Sequence, residues 1–591
     1  MLLAISKDEF KHWFTKCRPP TGWSKVIAVA NSGGPDSTCL LFLLHRYLSD
    51  LALQDEKHAL PRQIMSMAVD HHLQPSSTSM AESCAKYARS LPGVEHATIK
   101  VPWSTPPFPT RPLPGVGPFE NTARMARYEI LYRCMNSVHP ERDGPINVIA
   151  FGHHADDQVE TALMRFRMGT TELGGGGMRP CRRWGMGYFD KEKGENSLGW
   201  AGFGGMNKWV VRPLLDVNKN RILATCEENQ LEYVTDESNF QPHLTLRNAI
   251  RKMLSSGRNL DDIESVCPEP LPPTIKEQLS HIDSAISSVE SLSVDLTSGV
   301  ERLRSAVKQL TTQVEDIDAE VDSHLKRCRI PSPPGTLLLS LRGLFSVHDE
   351  LVRTALILRV MRYVSFHPWG SMRADGNRRK RMREQILEKL WTLNPFEQGR
   401  GMFVAGGGVL WTPVLVRGTK IKTPDRVTKD GISANEVIAW LASRQPPLNK
   451  RKMEQLEMYN PLQIDVTDKL KQSLDDASGA SSMEVMYDCR FLVRFDFANM
   501  PLSIYNGLRG PDSQIQILIV PDTRWYWPEI VLKQGDEARV LHSDIGEEVQ
   551  LHPLGKPVRD RPSHKMYWKR PGEPIVSSWI HVEWIRPLSA L

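Results

Sequence analysis

KVIAVANSGGPDSTCLLFLLHRYL, residues 25–48, breaks in its middle. β-Branched and apolar residues run from Val26 to Ala30 and stop at Asn31. Two glycines and a proline follow, and then an apolar segment suited to a helix begins. A strand, a glycine-rich turn and a helix start form an anion site. Glycines let backbone N–H groups approach a phosphate, and the helix N-terminus adds the positive end of its dipole. Ser32 and Ser37 supply hydroxyl donors. Asp36 would repel a bare phosphate, but it makes sense where a magnesium ion bridges it to a polyphosphate. The stretch is not a Walker A loop, which needs a wider glycine spacing and a lysine. The competing reading is a tight turn with a serine or aspartate cap, which any strand–helix unit can carry.

Outward from this turn, short apolar runs alternate with helical patterns. VIAVA (26–30), IMSMAVD (64–70), ATIKVPW (97–103) and INVIAFG (146–152) read as strands, with helical segments near 37–48, 76–91 and 119–137. That alternation predicts an α/β domain whose parallel sheet is covered on both faces. PWSTPPFPTRPLPGVGPF (102–119) must be an extended surface loop. In such sheets the ligand sits outside the carboxyl ends of the strands. One end carries Asp70, His71 and His72; another carries GHHADDQVET (152–161). Acids in a first helical turn are often dipole partners, and adjacent histidines are often polar loop residues. A zinc site is a third reading, although HExxH is absent and no cysteine is near.

At 591 residues the chain is too long for one core. Its net charge of +5 permits a nucleic-acid partner without demanding one. No apolar run approaches the roughly 18 residues that a bilayer span needs, so no membrane partner is expected. The nine cysteines are scattered with no CxxC, which argues against a disulfide framework and for a reducing compartment. MLLAISKDEFKHWFTKCRPP has no secretory pattern, and Asp8 and Glu9 make it a poor transit peptide.

Texture divides the chain into 1–262 (the α/β domain), 263–335 (a helical linker), 336–470 (mixed α/β) and 471–591 (a small Trp-rich β region). Within the linker, Ile282, Ile286, Val289, Leu296, Val300, Leu303, Val307, Leu310, Val314, Ile317 and Val321 form a heptad seam. It predicts a long helix or coiled-coil hairpin, explained by helix packing alone and holding no residue that the chemistry needs. The basic run Arg378, Arg379, Lys380, Arg381 and Arg383 is an RNA-backbone candidate, though most such runs are only exposed faces.

SGGPDS (32–37) resembles the pyrophosphate loop (PP-loop) of ATP pyrophosphatases, a Rossmann-like superfamily that cleaves ATP between its α and β phosphates. GHHADDQVET resembles the second signature of the tRNA(Ile)-lysidine synthetase family within it. Further matches follow in order: VDHHL (69–73), ARMARY (123–128), Gly174–Gly177, RPLL (212–215), and TDESN with LRNAIR (235–251). Together they cover about 220 residues, and the resemblance fades after residue 262. VDHHL lacks the glycine often seen after the histidines.

The resemblance implies a ligase that uses ATP and magnesium to adenylate the C2 carbonyl oxygen of the wobble cytidine in an isoleucine tRNA with a CAU anticodon. The ε-amine of free L-lysine then displaces AMP, and it must attack as the neutral form, which calls for a base or acidic partner. Carried over residue by residue, Ser32, Gly33, Gly34, Pro35, Asp36 and Ser37 hold the pyrophosphate, with Asp70 and His71 also in the ATP site. Asp36 and Asp157 are the metal ligands, and Asp157 with His154 serves metal binding or catalysis. Arg124 and Arg127 are donors suited to phosphate or the activated base. Arg247, Asn248 and Arg251 are either tRNA or docking contacts or a salt-bridged surface helix. A homodimer is compatible with the resemblance. Lysidine belongs to bacterial-type decoding and the large additions look eukaryotic, so a mitochondrial location is expected.

Two other readings stay open. A tRNA thiolase of the same group normally needs paired cysteines, and none is placed for that. A non-catalytic tRNA-binding protein would have kept the fold without the chemistry, against which Asp36 and GHHADDQVET argue.

Overall fold

The computed structural model describes residues 3–591 apart from 53–59, 75, 114–118, 138–144, 171, 191, 237–240, 257–270, 293–298, 372–379, 397–400, 418–419, 423–434, 449–452, 454, 456–459, 477–479, 511–514, 523 and 546–574. They form two compact units, Met1–Asp316 with Leu591, and Ile317–Ala590.

The first unit opens with α1 (Lys7–Lys16), started by a reciprocal cap between Ser6 and Glu9. Phe10 and Phe14 are buried, and Phe14 stacks on Trp23 at 4.2 Å. Each ring contributes about 2–3 kcal/mol by leaving water. Residues 7–16 are thus a packed helix.

Next come β1 (Val26–Ala30), α2 (Pro35–Ala52), β2 (Gln63–Asp70), α3 (Ser77–Ser90), β3 (Val94–Lys100), α4 (Phe119–Asn136), β4 (Val148–Ala150) and α5 (Ala155–Arg167). The one-turn α6 (Glu172–Gly175), β5 (Cys181–Arg183), β6 (Trp209–Val211) and α7 (Lys219–Glu228) complete the layered part. The strands lie in the order β3-β2-β1-β4-β6-β5, parallel except that β5 runs against β6. The sequence reading named four strands and neither β5 nor β6.

Strand β1 shows why the sheet is covered twice. Ile27 and Val29 face a core shared with α1, α2 and α7. Val26 and Ala28 face the opposite core, with Leu131 and Met135 of α4. Side chains alternate across a strand, so a continuous apolar run needs two cores. The chain moves outward from β1 through β2 to β3 and then returns to the other side of β1 with β4. That reversal opens a crevice between the ends of β1 and β4.

Helices α8 (Leu246–Ser256), α9 (Pro273–Ser280), α10 (Ile282–Glu290) and α11 (Gly299–Cys328) follow. The expected heptad seam is present, but its first half is not a free-standing coil. Ile282, Ile286, Val289, Leu303 and Val307 share one core with Val159 and Leu163 of α5 and Ile250 of α8. Leu296 lies outside the described residues.

The second unit is mixed, with small antiparallel sheets. One has Val409–Arg417 and Val437–Arg444 at its centre. Another contains Ile515–Asp522, Trp527–Gln534 and Glu537–His542; a third pairs Ser482–Tyr487, Phe491–Asp496 and Ile580–Trp584. Trp525, Trp527 and Trp579 are buried in their common core. Lys380, Arg381 and Arg383 open a helix ending at Leu390, while Arg378 and Arg379 lie outside the described residues.

Candidate active site

Tight local hydrogen bonding shapes the turn after β1. Gly33 has φ +77°, and its N–H donates to Asn31 Oδ1 at 3.0 Å. Asn31 Nδ2 in turn donates to Ser66 Oγ at 3.1 Å, tying the turn to β2. Ser32 N–H donates to Ser37 Oγ at 3.1 Å, and Ser37 Oγ donates to the Gly34 carbonyl at 3.1 Å. Pro35 takes the first helical position of α2, where a missing N–H costs nothing. The turn thus presents a helix N-terminus, although the N–H of Gly33 is already occupied.

The end of β4 closes on this turn. A Cβ on Gly152 would stand 2.8 Å from the Asp36 carbonyl oxygen, so only glycine lets the two strand ends approach. His154 then caps α5: its Nδ1 accepts the Asp156 N–H at 3.3 Å, and its own N–H donates to Asp157 Oδ2 at 3.1 Å. With Nδ1 accepting, the neutral ring carries its proton on Nε2. Nε2 lies 3.6 Å from both Asp36 Oδ1 and Asp157 Oδ2. Asp36, His154 and Asp157 therefore meet across the crevice.

Burial alone would raise the Asp157 pKa, but His154, Arg247 and the His154 N–H outweigh it and hold the carboxyl below its usual range. Glu160 goes the other way, raised by burial and by Asp157 despite a bidentate contact from Arg251 at 2.8 and 3.0 Å. Arg247 Nε lies 3.6 Å from the same carboxylate, and Asn248 Nδ2 donates to the Gln241 carbonyl at 3.1 Å. Arg247 and Arg251 therefore face the acids of α5.

Arg124 and Arg127 belong to a second cluster. Among the described residues no hydrogen bond or ion pair joins them to Asp36 or Asp157. The Arg124 guanidinium lies 4.8 Å over the Tyr128 ring and donates to its Oη at 3.1 Å. Arg127 Nε is buried without a partner, as is Nδ1 of His71. Burial, helped by Arg127, pushes His71 down to about 4. Burial would raise Tyr128, but Arg124, Arg182, Arg212 and Arg127 bring it down to about 8. Tyr128 stacks on Phe151, which stacks on His153. His153 Nδ1 accepts from Arg212 Nε at 3.2 Å, and burial first, then Arg212, keeps that imidazole neutral. The Asp70 carboxylate is used locally, accepting from the His72 N–H at 3.0 Å and the Thr78 hydroxyl at 3.3 Å.

Three residues at the site were not among the named candidates. Lys219 Nζ lies 2.5 Å from Asp36 Oδ1. Asp156, readable only as a dipole partner, accepts the Lys219 N–H at 3.2 Å. Arg304, from the heptad segment expected to lie apart from the chemistry, donates to Asp156 at 2.6 Å. The seam's apolar residues are packed as expected, but amphipathic spacing does not show what its flanking residues touch.

Among the described residues no group of three or more His, Cys, Asp or Glu side chains could by itself hold a metal ion. Two carboxylates each 3.6 Å from one imidazole nitrogen fit magnesium, which takes one or two protein carboxylates and completes its shell with phosphate and water.

A glycine turn and an acidic helix start facing each other across a switch point define the class: residues 4–257 match the family model of a PP-loop domain. Within that class, the same part of the chain is similar to tRNA(Ile)-lysidine synthases. One from Bradyrhizobium sp. (strain BTAi1) is 32% identical over 243 residues, covering 41% of this chain and 54% of that protein. One from Bacillus subtilis (strain 168) is 29% identical over 227 residues, covering 38% and 39%. The chain thus spans about half or less of the length of these curated relatives. Among solved structures, a U34-tRNA thiolase from Methanococcus maripaludis aligns over 52% of this chain and 78% of that chain, at 14% identity and a TM-score of 0.30.

Proposed function

We propose that this chain is an ATP-dependent tRNA(Ile)-lysidine synthetase. It adenylates the C2 oxygen of the wobble cytidine in an isoleucine tRNA with a CAU anticodon, releasing pyrophosphate. The ε-amine of L-lysine then forms the C2–N bond, AMP leaves with the former base oxygen, and the amine loses its proton. The observation that carries this reading is the meeting of Asp36 with His154 and Asp157 between β1 and β4. Similarity to tRNA(Ile)-lysidine synthases over this segment supports it.

In this reading the turn from Ser32 to Ser37 binds the polyphosphate, with Asp70 and His71 on the nucleotide side. Asp36 and Asp157 would hold magnesium, which when bound screens the phosphate charge. Lys219 sits on Asp36 and is placed to follow a phosphate oxygen as ATP enters. Asp157, held as a carboxylate, is available to orient the amine. Arg124 and Arg127, around Tyr128, offer guanidinium to an anionic backbone or the activated base.

Four segments, 1–262, 263–335, 336–470 and 471–591, homodimer formation and a mitochondrial location belong to the same proposal. Among the described residues no helix is long and apolar enough to cross a membrane. The test is incubation with ATP, lysine and this tRNA, followed by mass analysis of the wobble nucleoside. A lysine adduct with AMP and pyrophosphate release is expected. A thiolated nucleoside in place of the lysine adduct, once a sulfide donor is added to the same incubation, would favour a thiolase, and tRNA binding without ATP turnover a non-catalytic protein.

A further inference from the structure

Arg304 stands outside the segment that matches the PP-loop model. Its Nε and Nη2 lie 2.6 and 2.5 Å from Asp156 Oδ1, and its Nη1 pairs with Glu301. The other Asp156 oxygen, Oδ2, accepts the Lys219 N–H at 3.2 Å. Lys219 is the first residue of α7, and its neighbour Asn218 makes no side-chain capping hydrogen bond. The Asp156 carboxylate therefore satisfies one of the open N–H groups at the start of α7, setting where the Lys219 side chain leaves the backbone. That side chain ends 2.5 Å from Asp36 Oδ1.

We propose that Arg304 is a positioning residue of the active site: acting through Asp156, it holds Lys219 against Asp36. The inference rests on the adenylation reading of that site. Packing of α11 does not depend on Arg304, because Leu303, Ala306 and Val307 bury the helix against α5 and α8. What Arg304 adds is direction. Two charge-assisted donors on one carboxylate oxygen fix an acid that a single neutral N–H would otherwise hold. A misplacement of about 1 Å near reacting atoms costs on the order of 100-fold in rate.

The experiment is ATP–pyrophosphate exchange by the full chain with tRNA, with the wobble nucleoside from the same reactions assayed by mass. Arg304→Ala is expected to lower kcat about 30-fold, within the loss that misplacement produces. Arg304→Lys should recover part of it, and thermal unfolding should shift little. A double-mutant cycle separates positioning from packing: Arg304→Ala should add nothing further in an Asp156→Asn background. Should Arg304→Ala not fold, Arg304→Gln carries the same cycle. Full kcat in the Arg304 variants, or losses that multiply with Asp156→Asn, would overturn the inference. Exchange by the unaltered chain without lysidine would overturn the proposed substrate and leave Arg304 to be judged on exchange. No exchange by the unaltered chain would overturn both.

Discussion

The turn at 31–37 and the helical layer α8–α11 both border the same acids, yet they are built in opposite ways. The turn is stabilised mostly by neighbours in sequence: Gly33 on Asn31, Ser32 on Ser37, Ser37 on Gly34. The helical layer joins residues far apart, with Val159, Ile250, Ile286 and Leu303 in one core. Contiguous residues carry their own geometry, so such a motif is legible as a string. A heptad seam says only that a face is buried, because a coiled coil and a helix lying on a domain share that spacing.

The largest expected effect tests the turn. Asp36→Ala should lower ATP–pyrophosphate exchange about 1000-fold, as loss of electrostatic stabilisation at a reacting phosphate does. Circular dichroism should show an intact fold. Unchanged lysine incorporation would remove the turn from the chemistry.

The helical layer is tested by Leu303→Ala. Leu303 is fully buried, so the substitution should destabilise the first unit by about 3 kcal/mol, read by urea unfolding. A free-standing linker would tolerate it, and a loss below about 1 kcal/mol would return the segment to that role. Deleting 273–316 should for the same reason expose α5 and α8 and cost solubility.

Between the two regions lies Asp157. Asp157→Asn keeps size and removes charge, so exchange should fall about 100-fold while tRNA affinity, measured by filter binding, changes little. Collapse of tRNA binding would mark Asp157 as structural, consistent with its bond to the His154 N–H alone.

The smallest effect concerns acid. Burial pushes His71 and His96 from 6.5 down to about 4. The unfolded chain then binds protons that the folded chain refuses. Their stabilisation is present above about pH 6.5 and is lost as pH falls toward 4. After solvent screening it amounts to about 1 kcal/mol each. Urea midpoints at pH 7 and pH 5 should differ accordingly, and His96→Gln should flatten part of the slope. An unchanged slope would mean that His96 titrates normally.

Much of the layered part could be read from the chain itself. VIAVA and IMSMAVD stand within a residue of β1 and β2, whereas the third strand begins earlier than expected, at Val94 rather than 97. Of the named candidates, Asp36, His154 and Asp157 converge, while Arg124, Arg127 and His71 gather around a different centre. Their spacing in sequence is the same kind of signal in both cases; only the packing of α4 separates them.

The sequence alone determined the strand–turn–helix at 26–48, the carboxyl ends of the strands as the place of the site, and the acids that open α5. Such features follow from hydrogen bonds and side-chain periods spanning a few residues. Only the tertiary structure decided that Lys219 meets Asp36, that Arg304 meets Asp156, and that the heptad seam lies on α5 and α8. Any exposed lysine or arginine could have paired with those carboxylates. The packing of distant apolar faces selected which ones did, because only it brings residues 148 or more positions apart to within a hydrogen bond.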